Sequence, residues 1–324
     1  MNRSFRQVEH SIEVTAPADA VYRLIAQVEN WPILFPPTVH VEYAERGDHD
    51  ERIRIWATAN GEAKTWFSRR TLDQDARRIT FRQEVSAPPV AAMGGTWIID
   101  PVSAGACLVR LLHDYRAIDD DPSKLAWIDQ AVERNSKAEL AALKAGAEMT
   151  AGSRSGLLLS FEDTVRINGL AEDVYDFLNR AELWRERLPH VSRVSLLEEE
   201  PGLQVLEMDT STKDGSTHTT KSVRVCFPSR RIFYKQTVLP ALLSLHTGAW
   251  TLVPDGDGVL AASRHTVVIN AQNITRVLGD RAGIDDAKDF VRNALSGNST
   301  ATLQHAKAYA EGRRESRPEP AARS

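Results

Sequence analysis

Residues 8–14 alternate apolar and polar side chains, the period of a strand with one buried face. Between residues 19 and 28 the apolar positions shift to helical spacing at Val21, Leu24, Ile25 and Val28, and a short turn containing Trp31-Pro32 follows. Residues 39–115 read as six strands separated by turn signals and enriched in Val, Ile, Thr and aromatic side chains. Residues 124–146 return to a helical period, with Leu125, Ile128, Val132, Leu140 and Leu143 on or near one side. Strand, two short helices, six strands and one long helix predict an α+β fold in which a curved antiparallel sheet grips its last helix. A sheet that wraps a helix incompletely leaves space between the layers, and that space is a natural ligand cavity.

The same order then occurs a second time. Val21-Tyr22 recurs as Val174-Tyr175, Trp31 as Trp184 and Pro36 as Pro189, all at a shift of 153 residues. Asn60-Gly61 recurs as Asp214-Gly215, each a tight-hairpin signal. Ser68 and Arg70 recur as Ser222 and Arg224, Arg77-Arg78-Ile79 as Arg230-Arg231-Ile232, Gln83 as Gln236, Trp97 as Trp250 and His113 as His265. Asn135-Ser136, Leu140 and Lys144 recur as Asn298-Ser299, Leu303 and Lys307, where the shift has grown to 163 through an insertion before the second long helix. Two tandem helix-grip domains are therefore expected, at residues 1–150 and 157–311. The small, polar stretch at 150–156 is the expected linker, and residues 312–324, rich in Arg, Glu, Pro and Ser, the expected disordered tail.

A length of 324 residues suits two domains, and 42% hydrophobic with 26% charged residues is ordinary for a globular chain. Forty basic against forty-four acidic residues, a net charge of −4, argue against a nucleic-acid or anionic-membrane binder, which needs a basic face for phosphates. Cys107 and Cys226 lie far apart and without metal-ligand spacing, which predicts neither a disulfide nor a metal site and fits a reducing compartment. Residues 1–7 lack the apolar run of a signal peptide, and no stretch approaches the roughly 20 apolar residues of a membrane span. A cytoplasmic, soluble protein is the expectation.

Strand alternation puts Trp66, Ser68 and Arg70 on one face of their strand, and His218, Thr220, Ser222 and Arg224 on the equivalent face of the second copy. His113 and His265 fall on the last strand of each copy. Trp31 and Trp184 fall in the turn after the first helix, where they could close a pocket mouth, and Trp97 and Trp250 complete the candidate walls. Other readings stand beside these: the arginines as solvent-facing strand residues, the histidines as interior groups satisfied by backbone, the tryptophans as packing, the serines as small polar residues merely tolerated. No G-x-G-x-x-G follows a strand, no Walker loop or H-E-x-x-H occurs, and the string Gly152-Ser153-Arg154-Ser155-Gly156 has Arg where a nucleophile elbow needs Ser.

The Ala16-Pro17-Ala18 opening with Val21-Tyr22, the Asn30-Trp31-Pro32 turn, the Trp66-x-Ser68-x-Arg70 strand and the Asn135-Ser136 helix resemble the polyketide aromatase/cyclases of bacterial type II synthases. The duplication is similar to the di-domain members, and the likeness spans residues 8–311. The resemblance implies a START-like (Bet v 1-like) fold and a poly-β-ketone substrate carried by an acyl carrier protein, alongside other synthase components. It implies no metal or organic cofactor, and first-ring formation between the seventh and twelfth carbons. The family's pocket arginine matches Arg70 and, by repeat, Arg224; its turn tryptophan matches Trp31; its polar residue on the last strand is His113. A tyrosine that some single-domain members carry after the Trp-Pro turn is Thr38 here. Arginine suits an enolate oxygen as a fixed, permanently charged donor. Histidine suits proton transfer, and Ser68 or Ser222 suits orienting a water or the departing hydroxyl. The competing expectation is a non-enzymatic carrier of a lipid or isoprenoid, which predicts an apolar cavity with Arg70 and His113 pointing outward. A co-chaperone module of the same fold would instead predict a broad apolar surface patch.

Overall fold

The alternating segments form one seven-stranded antiparallel sheet in each half of the chain. The computed structural model describes residues 5–59, 61–151, 156–211 and 217–317. The chain divides into two units, Met1–Ser155 and Gly156–Ser324.

In the first unit β1 (Arg6–Val14) leads into α1 (Ala18–Ala26) and α2 (Trp31–Leu34). Six strands follow, β2 (Thr38–Arg46), β3 (Asp50–Ala59), β4 (Glu62–Asp73), β5 (Arg78–Gln83), β6 (Val90–Ser103) and β7 (Ala106–Ala117), and then the long helix α3 (Pro122–Ala151). The sheet order is β1-β7-β6-β5-β4-β3-β2, so the first strand pairs with the last and sets Val8 opposite His113. The second unit repeats the plan: β8 (Leu158–Ile167), α4 (Ala171–Asn179), α5 (Trp184–Arg187), β9 (Val191–Glu200), β10 (Leu203–Ser211), β11 (Thr217–Phe227), β12 (Arg231–Val238), β13 (Leu243–Asp255) and β14 (Gly258–Ile269). Two helices close it, α6 (Ile274–Leu278) and α7 (Ile284–Glu315). Helix α6 lies in the insertion that lengthens the second copy before its long helix.

The long helices fold onto their sheets because each carries an apolar stripe at i, i+4 and i+7 spacing. On α3, Ile128, Val132, Ser136, Leu140, Leu143 and Ala147 are buried; on α7, Ala287, Val291, Ser299, Thr302, Leu303, Ala306 and Ala310 are. Burial of each large aliphatic side chain contributes about 1.5–3 kcal/mol. Opposite α3 lie Ile79, Trp97, Ile99, Val109 and Leu111, joined by Val21, Tyr22 and Ile25 of α1.

Gly61, in the two-residue connection between β3 and β4, has φ +84°, the left-handed conformation a hairpin turn requires. Asn60 and the second turn signal, Asp214-Gly215, lie outside the described residues. Helix α3 continues to Ala151, into the segment expected as linker, and residues 152–155 are outside the described set. Helix α7 likewise runs on to Glu315, past the tail boundary expected at residue 312. Ion pairs hold this extension: Arg313 meets Asp173 at 3.0 Å and Arg314 meets Asp257 at 3.0 Å. Residues 318–324 lie outside the described residues. Among the described residues, no helix is long and apolar enough to cross a membrane, and both cysteines are free and buried.

Candidate active site

A cavity of about 420 Å³ opens between the sheet and α7 of the second unit. Its walls are largely apolar, with Leu188, Leu206, Met208, Leu242 and Trp250 among them, and a small number of polar groups converge on it. Trp184 is buried beside Arg224 at one side, whereas Val277 and Phe290, both exposed, and His218 mark the rim. Ser222 and Thr220 line the cavity from β11, Gln236 from β12, and Asn298, Ser299 and Thr302 from α7.

Arg224 is only 2% exposed. Its Nη2 donates to the Leu178 carbonyl at the end of α4, 2.6 Å away, and its guanidinium lies 5.3 Å from the centre of the Trp184 ring. Trp184 is held in turn by its indole N–H, which donates to the Phe177 carbonyl at 3.1 Å. The Nη1 of Arg224 is buried and has no partner among the described residues. Burial, which penalises the charged form, lowers the pKa of this guanidinium. A buried, under-satisfied cation at a cavity wall is a receptor for an anionic oxygen.

Farther along the sheet, four side chains meet in a polar network. His265 Nδ1 lies 3.0 Å from His246 Nε2 and 3.0 Å from the Tyr234 hydroxyl, and His265 Nε2 lies 3.1 Å from the Ser263 hydroxyl. Tyr234, His246 and His265 all line the cavity. Burial depresses both imidazoles, His246 to about 3 and His265 to about 4, the charge of His265 adding to the effect on His246 and Asp163 opposing it on His265. Both rings are therefore neutral near pH 7. Burial pushes the Tyr234 phenol upward, so it remains a proton donor. The Oε1 of Gln236 and the Nδ1 of His246 are also buried without a partner among the described residues.

The first unit places the same scaffold differently. Arg70 is 3% exposed, donates to the Ile25 and Ala26 carbonyls at 3.0 and 2.7 Å, and lies 5.3 Å from the Trp31 ring centre. Here, however, Nη2 also meets the Glu51 carboxylate at 2.5 Å. His113 Nδ1 is 3.3 Å from the Ser136 hydroxyl, and Phe81 presents its ring to it at 5.7 Å. Burial lowers His113 to about 4, helped by His10 and opposed by Asp114. Ser68 donates its hydroxyl to the Arg82 carbonyl at 3.1 Å.

Comparison with known proteins places this architecture. The family described as polyketide cyclase/dehydrase and lipid transport matches twice, at residues 6–148 and 159–311. The chain belongs to the polyketide cyclase/dehydrase family. It is 52% identical over 299 residues to the granaticin polyketide synthase bifunctional cyclase/dehydratase of Streptomyces virginiae, covering 91% of this chain and 97% of that protein. It is 46% identical over 314 residues to the actinorhodin counterpart of Streptomyces coelicolor, covering 94% and 96%. The solved structure of the di-domain aromatase/cyclase BexL from the BE-7585A biosynthetic pathway superposes with a TM-score of 0.89 at 62% identity, covering 97% of this chain and all of that one. The di-domain StfQ from the steffimycin pathway gives 0.85 at 35% identity, covering 95% and 99%. The chain is an aromatase/cyclase of polyketide biosynthesis, an enzyme of the cyclase/dehydratase type on two helix-grip domains.

In this cyclase the residues singled out in the sequence separate into two groups. Arg224, His265, Ser222, His218, Thr220, Trp184 and Trp250 come together around one cavity. Trp184 stands at the arginine rather than at the mouth where it was expected, because its indole N–H is tied to the end of α4. Trp31 is tied the same way to the Ile25 carbonyl, at 3.0 Å. Arg70, His113 and Ser68 are buried or half-buried rather than outward-facing, but Arg70 is ion-paired and the Ser68 hydroxyl is committed to backbone. Both bonds leave these two groups less to offer a substrate than expected. Trp97 packs on Phe35 at 6.3 Å, and Trp66 packs against Val41, Ile53 and Ile55.

Four groups escaped the sequence reading: Tyr234, His246, Ser263 and, in the first unit, Glu139. Glu139 sits three residues after Ser136 on the inner face of α3, at the position that Thr302 holds in the cavity wall of the second copy. It is half-buried, and burial raises its carboxyl to about 7. Among the described residues, no group of three or more His, Cys, Asp or Glu is arranged to hold a metal ion.

Proposed function

We infer that the second unit's cavity is where a poly-β-ketone, delivered by an acyl carrier protein, closes its first ring and loses water. The observation that carries this reading is the partnerless Nη1 of Arg224 in the wall of a 420 Å³ cavity that also holds Tyr234, His246 and His265. A carrier of neutral lipid has no use for a buried cation, whose burial is costly unless a ligand compensates it.

Ring closure starts when a C–H between two carbonyls gives its proton to a base and leaves an enolate. The Arg224 guanidinium holds the enolate oxygen, and a neutral imidazole of the His246–His265 pair takes the proton. The enolate carbon bonds to a distant carbonyl carbon, whose π electrons become an alkoxide that recovers the proton. The imidazole pair then takes a second C–H proton as the C–O bond breaks. Tyr234 gives its proton to the departing hydroxyl, which leaves as water, and the phenol regains a proton from His265, 3.0 Å away. No oxidant or reductant is consumed. The apolar walls select one folded conformer among many wrong closures, and such positioning lowers a barrier by several kcal/mol in favourable cases. Supply by the carrier protein and action in the cytoplasm complete the reading.

The test is incubation with a minimal synthase and its carrier protein, with products identified by mass spectrometry. The native protein is expected to yield the aromatic first-ring product and Arg224→Ala to yield unaromatised or misfolded-chain shunt products. Identical product from both at the same rate overturns the assignment.

A further inference from the structure

The two interior arginines differ in the residue that faces them across the strand. Arg70 on β4 stands opposite Glu51 on β3, and Arg224 on β11 stands opposite Gln204 on β10. Both guanidinium groups lie 5.3 Å from a tryptophan ring centre. Arg70 donates to the Ile25 and Ala26 carbonyls at the end of α1, and Arg224 to the Leu178 carbonyl at the end of α4. Across the strand the neighbour changes from a carboxylate to its neutral amide, and Arg70 makes two backbone hydrogen bonds where Arg224 makes one.

The consequence is electrostatic. Glu51 is 6% exposed and meets Arg70 at 2.5 Å, so this pair is neutral as a unit and buried together. Its other oxygen faces Arg46 at 3.5 Å. Gln204 is 1% exposed and donates its amide to the Asn179 carbonyl at 3.3 Å and to Glu198 at 2.7 Å. Glu198 is itself exposed, so solvent screens its pull on Arg224. The groups facing Arg224 are therefore Tyr175, Cys226, Glu198 and Glu182, none of them ion-paired to it.

We propose that Gln204 is a positioning residue that keeps Arg224 uncompensated, so that the second unit takes enolate or phenolate oxygen while Glu51 closes the first unit's arginine to anions. This rests on the functional reading above and adds which residue leaves the second unit's arginine open to charged intermediates.

The test uses 2-naphthol, whose ionisation is followed by absorbance, and needs no polyketide. An opposite charge within about 4–6 Å lowers the pKa of an acid by roughly 1–3. The wild-type chain is expected to bind one equivalent of naphtholate with its pKa lowered by that amount. Gln204→Glu is expected to abolish the lowered-pKa site, whereas Gln204→Leu, which is neutral, retains it; a merely structural role would make both variants fail alike. Glu51→Gln is expected to create a second equivalent, and it keeps the test decisive if Gln204→Glu does not fold. Two equivalents in the wild type, none in the wild type, or an unchanged site in Gln204→Glu overturns the proposal. Naphtholate behaviour as expected, with unchanged aromatic product from Gln204→Glu, would instead overturn the role of Arg224 in ring closure and leave the charge assignment standing.

Discussion

The Tyr234 hydroxyl lies 3.0 Å from His265 Nδ1, whereas the equivalent residues of the first copy, Phe81 and His113, meet only as ring edge and face at 5.7 Å. One oxygen atom converts an apolar contact into a hydrogen bond between β12 and β14. Tyr234→Phe removes that atom and little volume. It is expected to slow aromatic product formation on the order of 10²-fold, the lower part of the range for positioned proton donors, with the fold retained. Single-turnover assays beside circular dichroism check it, and wild-type rates from a folded Tyr234→Phe protein would remove the phenol from the mechanism.

Arg70→Ala and Arg224→Ala are expected to fail in different ways. Loss of Arg70 leaves the buried Glu51 carboxylate with only the exposed Arg46 at 3.5 Å, and breaking a buried pair costs about 3–5 kcal/mol of stability in comparable cases. Loss of Arg224 leaves no buried carboxylate behind, and is expected instead to lower turnover by about 10²–10³, as for removal of one preorganised oxyanion donor. Thermal melts and turnover measured on both variants separate the two: Arg70→Ala mainly lowers Tm, Arg224→Ala mainly lowers rate.

Much of this organisation is legible in the chain. Arg70 and Arg224, Trp31 and Trp184, and His113 and His265 recur at nearly one spacing, and strand periodicity puts each arginine on the same face as its serine; the structure turns that face inward. What differs between the copies was not legible, for a physical reason. Recurrence selects residues that stay the same, whereas His246 stands where Met93 stood, Tyr234 where Phe81 stood, and Gln204 opposite Arg224 where Glu51 faced Arg70. Each of those contacts crosses strands, and register between strands is set by packing that no linear pattern displays. Glu139 was hidden differently: a single carboxylate within an apolar helical stripe reads as a surface charge until the helix is docked.

Two opposed pH dependences follow from burial. In the folded state His246 and His265 titrate near 3 and 4, below the usual value of 6.5, so the unfolded chain binds more protons between about pH 4 and 6.5. Their contribution is present above pH 6.5 and is lost as pH falls toward 4. Glu139 is raised from 4.5 to about 7, so the folded chain holds the extra proton; its contribution is present below pH 4.5 and is lost as pH rises to 7. Glu139→Gln is therefore expected to stabilise the protein above pH 7, by roughly 2–3 kcal/mol, and to change little at pH 4. Urea unfolding across pH 4–8 checks both signs. A stability difference independent of pH would mean that the carboxyl is not desolvated on folding.

Gly248 holds the Tyr234–His265 contact open. It pairs with Tyr234 on one side and His265 on the other, and a Cβ there would collide with the Tyr234 hydroxyl and the Arg264 carbonyl. The first copy keeps the same device, for a Cβ on Gly95 would collide with the Phe81 ring and the Leu112 carbonyl. In the first unit that clearance serves packing alone, because Phe81 has no proton to pass. In the second it sets the height at which the phenol meets the imidazole, so the two substitutions should diverge. Gly95→Ala is expected to lower Tm without a matching loss of turnover. Gly248→Ala is expected to lower Tm by a comparable amount and also to reduce turnover to near that of Tyr234→Phe. The double variant Gly248→Ala, Tyr234→Phe should then be no slower than either single change, since both interrupt one contact. Additive losses in that cycle would show that Gly248 acts through something other than the tyrosine.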